Sequence, residues 1–177
     1  MKKKTIRYLS GRTEMARFDS LMKATFNPPR NWTLLEDLKF YSDEITESDA
    51  KMLRNCGVEC RNSTKSNQYI VTIPKGYVTD MASVPRACWA FIAPFDVARA
   101  AIVHDLLYKA IRKYRWTKGL IEEDKELIAN AKKASDKVFL LAMKDASPKV
   151  SGWKIYSAWK AVDLFGRWSI IPNEKNI

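Results

Sequence analysis

Apolar residues recur at two different spacings along this chain, and the change falls near its middle. Up to about residue 80 they come in short runs separated by turn formers. YIVTIPKGYVTD, residues 69–80, is β-branched and aromatic and is broken by Pro74-Lys75-Gly76. It predicts a hairpin or two short strands around a turn, with proline fixing φ and glycine accepting positive φ. WTLLEDLKFYS, from Trp32, predicts an opening strand pair or a short helix. Residues 45–54 are polar with scattered apolar positions, and RNSTKSNQ is rich in turn formers. Nearer the start, Met15, Phe18, Leu21, Met22 and Phe26 stand at helical spacing. They predict a short amphipathic helix that Asn27-Pro28-Pro29 stops.

Beyond residue 95 the period is helical. Residues 96–114 carry an apolar stripe of Ala100, Val103, Leu107 and Ile111, with Asp96 as candidate N-cap and a basic last turn. A second helix is predicted over about 120–145, marked by Leu127, Ala131, Val138, Leu141 and Ala142. A third is predicted near 149–165, marked by Trp153, Tyr156, Val162 and Phe165, with Gly166 just past its end. Between the halves, TDMASVPR offers Asp80 or Ser83 as a cap or turn organiser, and CWAFIAPF is expected to be buried. The expected class is therefore α+β: a small antiparallel sheet in the N-terminal half, then two or three packed helices. The expected organisation is a basic, amphipathic arm over 1–30, one globular domain over 31–170 and a tail over 171–177. The arm could dock on its own domain or grip a neighbouring subunit.

Charge alters this picture more than length does. Across 177 residues, 31 Lys and Arg stand against 20 Asp and Glu, a formal charge of +11. Such a surplus attracts phosphate polymers and anionic lipid surfaces, or simply keeps the surface solvated. No helix-turn-helix, zinc-finger or aromatic-glycine RNA motif accompanies it, so charge alone supports nucleic-acid binding. No apolar run has the length of a membrane span and the start has no secretory apolar region, so the expected compartment is cytoplasmic. Three cysteines, Cys56, Cys60 and Cys88, do not make a disulfide framework. A zinc site would have to draw on all three together with His104, and reduced, partly buried thiols are the simpler expectation.

That histidine is the only one in the chain. On a helix it shares a face with Tyr108, while Asp105 points about 100° away. Ala100 and Ala101 are small and leave room a turn earlier. The preceding loop supplies Asp80, and the second helix supplies Asp136, a lone acid inside the run 134–142. If the two helices pack antiparallel, that carboxylate can meet the histidine. A carboxylate behind an imidazole holds it in one tautomer and makes it a better base. An adjacent Asp can hold a hard cation through oxygen. These are the parts of a water-activating hydrolase with His104, Asp136, Tyr108 and Asp80 in its site and Asp105 toward a metal. The same residues could instead form a satisfied polar network that locks a loop to a helix pair.

The segment Gly76-Tyr77-Val78-Thr79-Asp80-Met81-Ala82-Ser83-Val84-Pro85-Arg86, then Ala100-Ala101 with His104-Asp105 and Leu107-Tyr108, then Ser135-Asp136 with Phe139, resembles domain of unknown function family 1353. The resemblance covers about residues 65–145. It implies a gene of tailed-phage or prophage origin, and with it a place in the host cytoplasm or the virion. It implies no agreed activity. The His-Asp-x-x-Tyr helix followed by an Asp on a second helix is also similar to the active-site helices of phospholipases of the A(2) type. That similarity implies His104 as base, Asp105 as a calcium ligand, and Asp136 and Tyr108 as supports. Two function classes stay open. One is a hydrolase acting on a phosphodiester, lipid or cell-wall substrate. The other is a non-enzymatic phage protein whose partners are other phage structural proteins or a host protein.

Overall fold

The computed structural model describes residues 16–80, 97–118, 122–174 and 176–177. Among these described residues, two antiparallel sheets are built from seven short strands: β1 (Ala16–Phe18), β2 (Ala24–Asn27), β3 (Asn31–Leu34), β4 (Leu38–Ser42), β5 (Cys60–Asn62), β6 (Tyr69–Ile73) and β7 (Val78–Thr79). One sheet runs β1-β4-β6-β5 and the other β2-β3-β7. The helices are α1 (Glu47–Asn55), α2 (Ala98–Lys118), α3 (Glu122–Lys144) and α4 (Gly152–Ser169). The fold is α+β, with the sheets in the N-terminal half and the long helices after them.

Strand alternation explains the central pair. In β4, Leu38, Phe40 and Ser42 are buried while Lys39 and Tyr41 are half-buried, the period of two that one covered face demands. Its neighbour β6 is buried from Ile70 to Ile73. The Pro74-Lys75-Gly76 stretch forms the predicted turn. Tyr77 N–H donates to the Pro74 carbonyl at 3.1 Å, and Gly76 takes φ 81°, a left-handed position that glycine adopts without a Cβ clash. It does not close a hairpin, because β6 and β7 belong to different sheets. Trp32–Ser42 likewise splits into β3 and β4, one strand in each sheet.

The start of the chain departs from the helical expectation. Phe18 and Phe26 lie in β1 and β2, and Leu21 and Met22 lie between them; Met15 is outside the described residues. Four or five apolar positions in so short a stretch fit either period, and pairing decides. Ala16–Phe18 pairs with Phe40–Ser42, and the Phe18 ring rests 5.1 Å from that of Phe40. Asp96, Ser83 and CWAFIAPF also lie outside the described residues.

Helix α1 was not among the expected elements. Its signal is a capping box at Thr46-x-x-Asp49: Thr46 Oγ1 accepts from Asp49 N–H (3.2 Å), and Asp49 Oδ2 accepts from Thr46 N–H (2.9 Å). Removing the cap with Thr46→Ala should lower stability by about 1 kcal/mol in a urea titration. An unchanged midpoint would mean that packing alone holds this helix.

The long helices surround α3, which packs on α1, α2 and α4 and against β1. The predicted stripe of α2 is buried, and Ala98, Ala101, Ile102, His104 and Tyr108 are buried too, because α3 covers one side and β6 the other. Helix α4 runs past its expected end, with Gly166 inside it. Its buried face is Ile155, Ala158, Val162 and Gly166. Of the four expected marks only Val162 is inside; Trp153, Tyr156 and Phe165 are exposed. Cys56 and Cys60 are buried free thiols, each pushed up to about 11 by burial.

Candidate active site at the α2–α3–α4 junction

His104 sits about two turns into α2, and the packing of α2 against α3 brings Asp136 to it. His104 is 2 % exposed and Asp136 is 3 % exposed. The imidazole Nε2 lies 3.4 Å from Asp136 Oδ1. Tyr108, one turn on from His104, donates its hydroxyl to the same oxygen at 2.7 Å. Lys132, one turn before Asp136 on α3, donates to Oδ2 at 2.6 Å. The Lys132 ammonium also donates to the Asp163 carbonyl of α4 at 3.1 Å, so one carboxylate and one ammonium join three helices.

The imidazole is gripped from its faces as well. Its centroid lies 3.9 Å from the Tyr108 ring and 4.6 Å from that of Phe139. With Asp136 accepting, the proton belongs on Nε2 and the lone pair on Nδ1. That Nδ1 is buried and has no hydrogen-bond partner among the described residues. Burial works against an ionised Asp136, but the hydrogen bonds from His104, Lys132 and Tyr108 outweigh it and hold the acid below its ordinary value. Burial first, and then the Asp136 charge, pushes the Tyr108 hydroxyl well up, so it stays a donor.

A cavity of about 350 Å³ opens on this cluster, lined by Asp80, His104, Asp105, Tyr108, Arg112 and Phe165 among others. A second hollow of about 320 Å³ shares Asp80, Asp105 and Arg112 with it. Asp105 stands apart from the imidazole, as its angle on the helix requires. Tyr77, placed by the turn at Gly76, donates to Asp105 Oδ2 at 2.9 Å, and Arg112 lies 4.0 Å from Oδ1. Asp80 is exposed at the rim. Among the described residues no three His, Cys, Asp or Glu side chains converge as a metal cage. The structure thus gathers His104, Tyr108 and Asp136 into one contact network and sets Asp80 and Asp105 on the cavity wall.

The residues 57–162 match the sequence profile described as Protein of unknown function (DUF1353), more than half of the chain. The chain belongs to the DUF1353 family. No curated protein and no solved structure gives a significant match. In this DUF1353 protein the cluster also includes residues beyond those expected from the sequence. Lys132 had a signal, its spacing of four from Asp136. So did Arg112, which continues the His104–Tyr108 face by one more turn. Gly166 had none short of the packing. It lies in α4 directly against Tyr108, where a Cβ would come within 3.1 Å of the ring carbon Cζ and overlap the hydroxyl oxygen.

Proposed function

We propose that this DUF1353 protein is a phage- or prophage-encoded hydrolase in which His104 is the general base. The observation that carries the reading is the division of labour on one ring: Nε2 faces a carboxylate, Nδ1 has no partner among the described residues, and the residue lines a cavity. A merely structural histidine would be expected to have both nitrogens served. In the proposed reaction, Nδ1 takes a proton from water as the water attacks an ester or amide carbonyl carbon, or phosphorus; the bond to the leaving oxygen or nitrogen then breaks, and the imidazolium returns the proton to that leaving group. Asp136 fixes the tautomer and stabilises the imidazolium that forms. Tyr108 and Lys132 fix Asp136. Asp80 and Asp105 are the oxygen donors that a divalent cation such as calcium would use at the rim. Asp105 would have to exchange its Tyr77 bond for it.

The test measures release of product from three classes of substrate: an activated phosphodiester, phospholipid vesicles and cell-wall murein. Each is assayed in EDTA and in calcium, with wild-type protein and with His104→Gln. Wild-type protein should turn over one class, and the variant should lose at least about a hundredfold while keeping its circular dichroism spectrum. No turnover of any class, or an undiminished His104→Gln variant, would overturn the proposal. The cluster would then be a structural lock in a virion component or host-binding factor.

A further inference from the structure

Helix α4 is apolar on two sides. Ile155, Ala158, Val162 and Gly166 face the core. Trp153, Leu164 and Trp168 are 62 %, 53 % and 54 % exposed, and Tyr156 and Ile171 are exposed with them. At 100° per residue, Trp153, Lys160, Leu164 and Trp168 fall on one outward stripe, which Ile171 continues just beyond the helix end. An apolar stripe of this kind on a solvated helix marks a surface made to be covered.

What would cover it is indicated by the charges set into it. Lys154 lies 5.7 Å above the Trp153 ring, Lys160 lies 5.4 Å from that of Trp159, and the Arg167 guanidinium lies 4.3 Å above Trp168. The one acid of the helix, Asp163, is half-buried and bonded by Lys160 at 2.9 Å and by Lys132 through its carbonyl. The outward stripe is therefore aromatic and cationic, within a chain of net charge +11. Trp and Tyr prefer the boundary between headgroup and acyl chain, and flanking Lys and Arg meet anionic headgroups. Among the described residues no helix is long and apolar enough to cross a membrane. An α4 of 18 residues would span about 27 Å lying flat.

We infer that the outer face of α4 docks this protein onto an anionic lipid surface, with Trp153, Leu164 and Trp168 seated among the acyl chains and Lys154, Lys160 and Arg167 against the headgroups. Docking needs neither His104 nor any turnover, so it stands or falls separately from the hydrolase reading. The experiment is co-sedimentation of the full chain with phosphatidylcholine vesicles and with vesicles of equal parts phosphatidylcholine and phosphatidylglycerol. Wild-type protein should sediment with the mixed vesicles, weakly with the neutral ones, and be released by high salt. Neutralising Lys154, Lys160 and Arg167 together to Gln should weaken partition by about a hundredfold, roughly fivefold per cation. Trp153→Ala with Trp168→Ala should weaken it at least tenfold. None of these residues lines the cavity, so their urea midpoints should match wild type. Failure of wild type to bind mixed vesicles would overturn the inference. So would binding that both sets of variants leave intact. A dimer in sedimentation velocity that the Trp variants disperse would also overturn it, by assigning the face to a second copy of the chain.

Discussion

Asp136→Ala should cost about 3–5 kcal/mol of folding stability at neutral pH, the range for removing one member of a buried charged pair. The size follows from what the carboxylate serves. Its loss leaves Lys132 without its counter-charge on α3, Tyr108 Oη without an acceptor and His104 Nε2 without its neighbour, all at the junction of α2, α3 and α4. Asp136→Asn should cost less, because an amide oxygen can still accept from Tyr108. The pH dependence has a definite sign. Asp136 titrates lower in the folded protein than its ordinary value. Its contribution is therefore whole above the unfolded carboxylate value of about 3.9 and drains away as the pH falls through the lower folded value. Urea titrations at pH 7, 5 and 3 should show wild type and Asp136→Ala far apart at the first two and closer at the third. A constant gap, or a variant as stable as wild type at pH 7, would show that the ion pair carries no such weight.

The same carboxylate shows what could be read before any coordinates. A lone acid in an apolar helical run must meet something polar, and the chain offers one histidine, on the neighbouring predicted helix. Residue type and period were enough for that pairing and for the limits of α2 and α3 to within a few residues. They failed where two outcomes share one pattern. The apolar residues of 15–26 fit a helix, yet strand pairing with β4 claimed 16–18. Trp153, Tyr156 and Phe165 of α4 looked like its core, but its fully buried positions are Ile155, Ala158, Val162 and Gly166, and at Gly166 the approach of Tyr108 leaves no room for a side chain. Sequence period shows that a helix has an apolar side; it does not show which of two apolar sides its neighbours leave room for.

Gly166 is where that limit can be tested by a single methyl group. In the interior of α4 an alanine would normally stabilise by about 0.5–1 kcal/mol, because glycine gives up more backbone freedom on folding. Here the sign should reverse. The added Cβ would overlap the Tyr108 hydroxyl and press within 3.1–3.2 Å of its ring carbons. Tyr108 cannot retreat without leaving Asp136 or pushing on the tilted His104 ring, whose centroid lies 3.9 Å away. Gly166→Ala should therefore destabilise by about 2–3 kcal/mol, the cost of overpacking a close-packed site. Tyr108→Phe removes the overlapping oxygen, so the double variant should lose less than the sum of the two single losses. The ring carbons still crowd the new methyl, so the recovery should be partial. A more stable Gly166→Ala would mean that α4 stands farther from α2 than the geometry indicates. The tight contact of α4 on Tyr108, and through it on Asp136, would then not be what holds the imidazole in place.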